Sequence, residues 1–169
     1  MRRAVAQATV RPMSQRKFLV IADESPEFDA ALRFACRRAR STGGHLALLK
    51  VIEPAVFEHW SGVRDEIERQ AREEAEAALQ KVAEYVVAET GLPPEFIIVH
   101  ADNTRAALRQ VIGEDPDIKI LVLAAAVGGR GPGPLVASIA KEGVKWGARK
   151  VPVTVVPGDL TDDEIADLA

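Results

Sequence analysis

The sequence predicts an α/β, Rossmann-like fold: a single-domain, doubly wound, five-stranded parallel sheet of order 3-2-1-4-5 with helices on both faces. Three observations carry it. Short apolar runs rich in Val, Ile and Leu (KFLVIAD, HLALLKV, EFIIVHAD, IKILVLAAAV, KVPVTVV) recur along the chain. Between them lie stretches whose apolar residues fall at helical spacing. The runs are apolar throughout rather than alternating, as in strands covered on both faces, which is the condition of a parallel sheet. Right-handed crossovers then set the first and fourth strands side by side at the centre, with the binding crevice at their carboxyl ends.

Residues 1–16 (MRRAVAQATVRPMSQR) lack sustained periodicity and contain Pro12, so a flexible tail is expected, with Met13 an alternative start. KFLVIAD is the first strand. An amphipathic helix follows Pro26 to about Arg40, with Phe28, Leu32, Ala35 and Cys36 on one face. The break STGG leads to the second strand, HLALLKV, completing a βαβ unit. After the loop EPAVFEHWSG, a long helix runs from about Gly62 to Thr90. Val63, Ile67, Ala71, Ala75, Ala78, Val82 and Val86 mark its inner face, and Asp65 with Arg69 and Glu68 with Arg72 are expected to pair outside. GLPP ends that helix, because Gly91 takes a left-handed cap and Pro93 cannot continue.

EFIIVHAD is the third strand, and NTRAALRQVIGED a short helix capped by Asp102 or Asn103. IKILVLAAAV is the fourth strand. PLVASIAKEGVKWG is expected as a helix beginning on Pro134, a residue suited to the first helical position. KVPVTVV is the fifth strand. The remaining residues 158–169 form a tail with a short helix, in which Thr161 and Glu164 have the spacing of a capping box. Residues 17–157 thus make the domain.

Composition narrows the function. The 169 residues carry a formal net charge of -3, with 47% hydrophobic and 28% charged residues, and the arginines are interspersed with acids. This gives no electrostatic footprint for nucleic acid. No apolar run reaches the ~20 residues of a membrane span, and the N-terminus lacks a signal-peptide core, so a cytoplasmic protein is expected. Cys36 is the only cysteine and reads as a buried structural thiol. His45, His59 and His100 are too dispersed for a metal centre, and none is expected.

Two features meet at the predicted crevice. One is Asp23 with Glu24 and Ser25 after the first strand. The other is the stretch AAAVGGRGPGPLVAS after the fourth, with four glycines and two prolines in seven residues. Glycines let backbone N–H groups approach an anion beside a helix N-terminus, and Arg130 can add a charge-assisted bond. Against this, Pro132 and Pro134 remove two donors, and Glu24 brings negative charge. The stretch is neither a P-loop nor a dinucleotide fingerprint, since no Gly-Lys-Ser/Thr follows and the spacing is not G-x-G-x-x-G. It reads equally as a plain strand-to-helix turn. Asp23, Ser25 and His100 make an imaginable triad, but no G-x-S-x-G elbow accompanies them and no catalytic residue is assigned. The apolar final strand falls at the sheet edge, where unpaired backbone groups invite a second copy.

KFLVIADESPEFDAALRFACRRARSTGGHLALLKVIEP, with DIKILVLAAAVGGRGPG and the closing VPVTVV, resembles the universal stress protein family over roughly Lys17 to Pro157. The resemblance implies an adenine nucleotide, ATP or AMP with magnesium. The adenine would lie against Asp23 and Val51, with Ser25 nearby and the phosphates along Gly128, Gly129, Arg130, Gly131 and Gly133. Family members with this site carry Gly-Ser or Gly-Thr nine residues beyond the G-x-x-G. Here Lys141 and Glu142 stand at those positions. The family also pairs its final strands across a two-fold axis, implying a homodimer through Val151, Val153 and Val155. The function implied is a stress-response or regulatory module. Two alternatives are an enzyme of similar fold working on adenine nucleotides by ATP hydrolysis or adenylyl transfer, and a ligand-free dimeric interaction module.

Overall fold

A computed structural model describes residues 15–54 and 61–169. Most of the expected N-terminal tail, Met13 included, and the loop segment holding His59 lie outside the described residues. Strands β1 (Lys17–Ile21), β2 (His45–Ile52), β3 (Glu95–His100) and β4 (Ile118–Ala125) alternate with helices α1 (Phe28–Thr42), α2 (Ser61–Thr90) and α3 (Thr104–Glu114). Helix α4 (Pro134–Glu142), a short hairpin of β5 (Lys145–Trp146) and β6 (Arg149–Lys150), strand β7 (Val153–Pro157) and helix α5 (Asp162–Leu168) complete the chain. The main sheet is parallel, in the order β3-β2-β1-β4-β7. This is the predicted order 3-2-1-4-5, its last strand becoming β7 because the hairpin intervenes.

Strand alternation divides the core into two layers. Phe18, Val20, Leu46, Leu48 and Val122 point toward α1 and α2, where Ala35, Cys36, Leu79 and Val86 meet them. Leu19, Ala47, Leu49 and Leu121 point the other way, onto Ala107, Leu108 and Ile112 of α3 and onto Trp146. Burial pushes the Cys36 thiol up to about 12, with the Glu89 carboxylate adding to the shift, so the thiol stays protonated and inert at neutral pH.

Local sequence explains the boundaries. Gly43 closes α1 in the left-handed conformation with φ 66°. Asn103, not Asp102, caps α3, its side chain accepting from the Ala106 N–H at 2.9 Å. Thr161 and Glu164 form the expected capping box at α5. Arg33 ties that helix to α1 through Asp162, at 2.5 Å, and the Leu160 carbonyl, at 3.2 Å.

Four sequence expectations are corrected. On α2, Ala75 and Val86 are buried as expected, but Ala78 is exposed and Leu79 and Ala83 fill the core between them, because the buried stripe steps by four residues from Ala75 to Leu79 to Ala83. Its outer ion pairs also differ: Arg69 pairs with Glu66 and Glu73, and Arg72 reaches forward to Glu76, so neither Asp65–Arg69 nor Glu68–Arg72 forms. Helix α4 stops at Glu142 rather than running to Gly147. Gly143, at φ 80°, breaks it, and Gly147, at φ 64°, turns the hairpin that buries Trp146 completely. The last strand starts at Val153, and Val151 is buried at 2% exposure in the α3-side core. Val151 is therefore an interior anchor of the chain and lies ahead of the edge strand.

Candidate functional site

The carboxyl ends of β1 and β4 open into a cleft of about 200 Å3. One wall comes from the β1–α1 turn. There the Asp23 carboxylate accepts hydrogen bonds through the same oxygen from the Ser25 N–H, at 3.0 Å, and the Ser25 hydroxyl, at 2.6 Å. An aspartate two residues before such an N–H makes this turn locally. Its second carboxylate oxygen makes none of these bonds. Glu27, at the N-cap of α1, adds another carboxylate to the same wall.

The opposite wall is the start of α4. Gly133 caps it at φ 95°, Pro134 occupies the first turn, and no side chain caps the helix. The first helical bond runs from the Ala137 N–H to the Gly133 carbonyl at 3.0 Å, so the Leu135 and Val136 N–H groups have no intrahelical acceptor. Both residues line the cleft, as do Pro132, Gly133 and Pro134. Helix α4 is fixed from behind by Arg105 of α3. That guanidinium lies 2.9 Å from Glu142, donates to the Ser138 hydroxyl at 3.1 Å and sits 5.2 Å over the Trp146 ring.

The residues expected at a nucleotide site divide in two. Asp23, Ser25 and Gly133 come together in the cleft. Val51, Gly128, Gly129, Arg130 and Gly131 do not line it. Val51 lies in β2, paired with Val99 and packed on the α3-side core. The glycines form an exposed excursion, with Gly128 at φ 122° and Gly131 at φ 85°. The excursion closes on itself: the Ala126 N–H donates to the Pro132 carbonyl at 3.1 Å. The described lining contains no Lys or Arg.

Sequence reasoning missed Glu27 and Thr104, which both line the cleft. Their signal was positional, since each stands at the start of a helix on the carboxyl side of the sheet, Glu27 after the central strand β1 and Thr104 after the edge strand β3. The imagined triad is not assembled: the Ser25 hydroxyl donates to Asp23, and His100, at the end of β3, is outside the cleft. Among the described residues no grouping of His, Cys, Asp and Glu can hold a metal, and no helix is long and apolar enough to cross a membrane.

A parallel sheet wound in both directions, with its cleft at the point where strand order reverses, defines an α/β protein of the doubly wound class. The profile of the universal stress protein family matches residues 15–157, and the chain belongs to that family. Universal stress protein UspA from Lactobacillus plantarum is similar in structure, with a TM-score of 0.66 at 17% identity over 83% of this chain and 97% of that one. A universal stress protein in complex with cAMP gives 0.59 at 17% identity, covering 86% and 98% of the two chains. The universal stress protein from Archaeoglobus fulgidus in complex with dAMP gives 0.54 at 15%, covering 85% and 99%. These likenesses concern the fold. No curated protein sequence matches the chain significantly.

Proposed function

We propose that the chain is a stress-response regulatory module that binds an adenine mononucleotide in the cleft between the Asp23–Ser25 turn and the start of α4. The observation that carries this reading is the pairing across one cleft of a carboxylate oxygen free of the turn's own bonds with two helix N–H groups free of intrahelical acceptors. The carboxylate is suited to an adenine amino group, and the N–H pair to a single anion. That two proteins of similar fold are described in complex with cAMP and dAMP supports an adenine ligand.

Charge and size favour a monophosphate over ATP with magnesium. Asp23 and Glu27 set negative charge across the cleft from the anion position, and Pro132 and Pro134 withhold donors. The cleft of about 200 Å3 is below the ~300–1,000 Å3 of most ligand pockets, so it accommodates part of a nucleotide rather than a whole triphosphate. Calorimetric titration should therefore show AMP or cAMP binding more tightly than magnesium ATP. Asp23→Ala should weaken AMP by roughly 5- to 150-fold, the equivalent of ~1–3 kcal/mol for a bond to a charged group. Unchanged affinity in that variant would remove Asp23 from the site.

The same module is proposed to dimerise along β7, where Val155 is exposed at 41% and Val153 is half-buried. A second reading, the ligand-free interaction module, is favoured by the Ala126–Pro132 bond that closes the glycine excursion. Absence of heat with every adenine nucleotide up to millimolar concentration would select it.

A further inference from the structure

Helix α4 carries the N–H groups set against the anion, yet its own seating is slight. Helices α1, α2, α3 and α5 each bury at least one side chain, whereas α4 buries none. Its apolar residues Leu135, Val136 and Ile139 rest half-buried against the α3-side core. The helix has nine residues and runs between two glycines of positive φ, Gly133 at 95° and Gly143 at 80°. A helix this short is not sustained in water by propensity, so contacts with the rest of the chain decide where it sits.

Among the described residues, every polar contact from an α4 side chain to another element ends on Arg105 of α3. Its Nη1 donates to the Ser138 hydroxyl at 3.1 Å, and its Nε lies 2.9 Å from the Glu142 carboxylate. Its Nη2 donates to the Gly143 carbonyl at 3.4 Å, and Ser138 donates in turn to Glu142 at 3.2 Å. These contacts hold the carboxyl-terminal half of α4. The guanidinium is itself seated 5.2 Å over the buried Trp146 ring. Thr104, the preceding residue, lines the cleft, so one turn of α3 both borders the cleft and grips the far end of α4.

Leverage makes that grip matter. Nine residues at ~1.5 Å each give a helix about 13 Å long, and a rotation of ~10° about the held end moves its first turn by about 2 Å, enough to break an N–H···O contact. We propose that Arg105 is a positioning residue for the anion end of the cleft. It latches α4 from behind so that the Leu135 and Val136 N–H groups stay aimed at the ligand, which it does not itself meet, since it is no part of the lining. The choice of AMP as ligand rests on the nucleotide reading above, whereas the latch is a property of the free chain.

Two measurements on the full chain test this. The first is amide hydrogen exchange without nucleotide. Arg105→Met keeps the aliphatic stem and removes the guanidinium; the Ser138 to Glu142 amides should then exchange at least about fivefold faster, as for the loss of one partly exposed, hydrogen-bonded ion pair. The Leu108 to Ile112 amides of α3 should keep their parent rates. Glu142→Gln, at an exposed position, should move the same α4 amides in the same direction by less. The second is the ratio of AMP to adenosine affinity by calorimetry, which should fall at least about fivefold in Arg105→Met. Unchanged exchange in α4, or exchange raised equally in α3, would overturn the latch. Faster α4 exchange with the AMP preference intact would overturn the positioning role. A parent protein that prefers AMP no more than adenosine would overturn the nucleotide reading instead, and the exchange rates then decide the latch by themselves.

Discussion

At the scale of single residues, the cleft depends on a glycine outside the glycine-rich stretch. Gly158 follows β7, and its N–H donates to the Ala125 carbonyl at 3.0 Å. A Cβ there would lie 2.5 Å from Glu27 Cγ and 2.6 Å from that carbonyl oxygen. Part of the clash involves backbone, so rotamer adjustment cannot relieve it. Gly158→Ala is expected to cost ~1–3 kcal/mol in urea unfolding, the usual range for overpacking, and to displace Glu27 from the cleft wall. Gly129→Ala is the contrasting case. Its φ is not positive and nothing stands within 4 Å, so its stability should stay within ~0.5 kcal/mol of the parent. The glycines at 128, 131 and 133 serve backbone conformation, whereas Gly158 serves close approach.

At the scale of elements, the hairpin between α4 and β7 supports the cleft from a distance. Its Trp146 is fully buried under Arg105, and its Arg149 donates to the carbonyls of Ile112, Asp115, Pro116 and Ile118. These carbonyls belong to the end of α3 and the turn into β4, where helix geometry leaves acceptors without partners. A cation there also meets the negative end of the α3 dipole. Arg149→Ala should therefore lower stability by ~1–3 kcal/mol and red-shift the emission of Trp146, read in a Trp60→Phe background. Arg149→Lys should rescue little, because a single ammonium cannot reproduce the planar fork that reaches several carbonyls at once. Full rescue by lysine would show that charge, rather than fork geometry, holds the hairpin.

Elements also mark where sequence reading succeeded and where it stopped. The α1 face of Leu32, Ala35 and Cys36, the Gly91 stop of α2 and the Thr161 box are local, and each appears where the residues put it. KWGARK carries no such signal. Trp146 and Val151 fit a continuing helix and strand by periodicity, and only their packing against α3 makes them a hairpin and an anchor. The cleft shows the same division. Asp23 and Ser25 were legible as a turn after an apolar strand. Val51 falls outside the lining with its place on β2, one strand out from the β1–β4 crevice, and Gly128–Gly131 fall outside it in the excursion that the Ala126–Pro132 bond closes; both relations link residues with no local signature.

At the scale of the whole molecule, the sheet is pinned at its amino end by Lys17 of β1, which bridges Asp115, at 2.7 Å, and Glu95 of β3, at 2.5 Å. Burial alone would raise the Asp115 carboxyl, but the Lys17 ammonium and the Asp117 N–H outweigh it and hold its pKa below the usual range. A carboxyl whose folded pKa is depressed contributes stability that is present above its unfolded pKa of ~3.9 and is lost as pH falls through the lower folded value. Lys17 has the opposite sense. Burial would lower its pKa, yet the hydrogen bonds to Asp115 and Glu95 raise it, so its contribution is present below ~10.4 and is lost as pH rises through the folded value. Thermal unfolding should hold a plateau at neutral pH and decline below about pH 4. Lys17→Met should flatten part of that acid decline, by about 1 kcal/mol for partly exposed partners. An acid limb identical in the variant would assign the decline to other carboxylates.

The sequence by itself determined the class of fold, the order of strands in the sheet and the membership that its apolar runs and turns betray. Those features depend on hydrophobic period, capping and crossover handedness, which act over a few residues or one βαβ unit. Tertiary structure alone decided which candidate ligand residues share a cleft, that Val151 is a core anchor and that the segment after Glu142 turns into a hairpin. These depend on which strand ends lie side by side and on which residues meet the face of a distant helix. Such relations join residues distant in sequence and are fixed only when the layers pack.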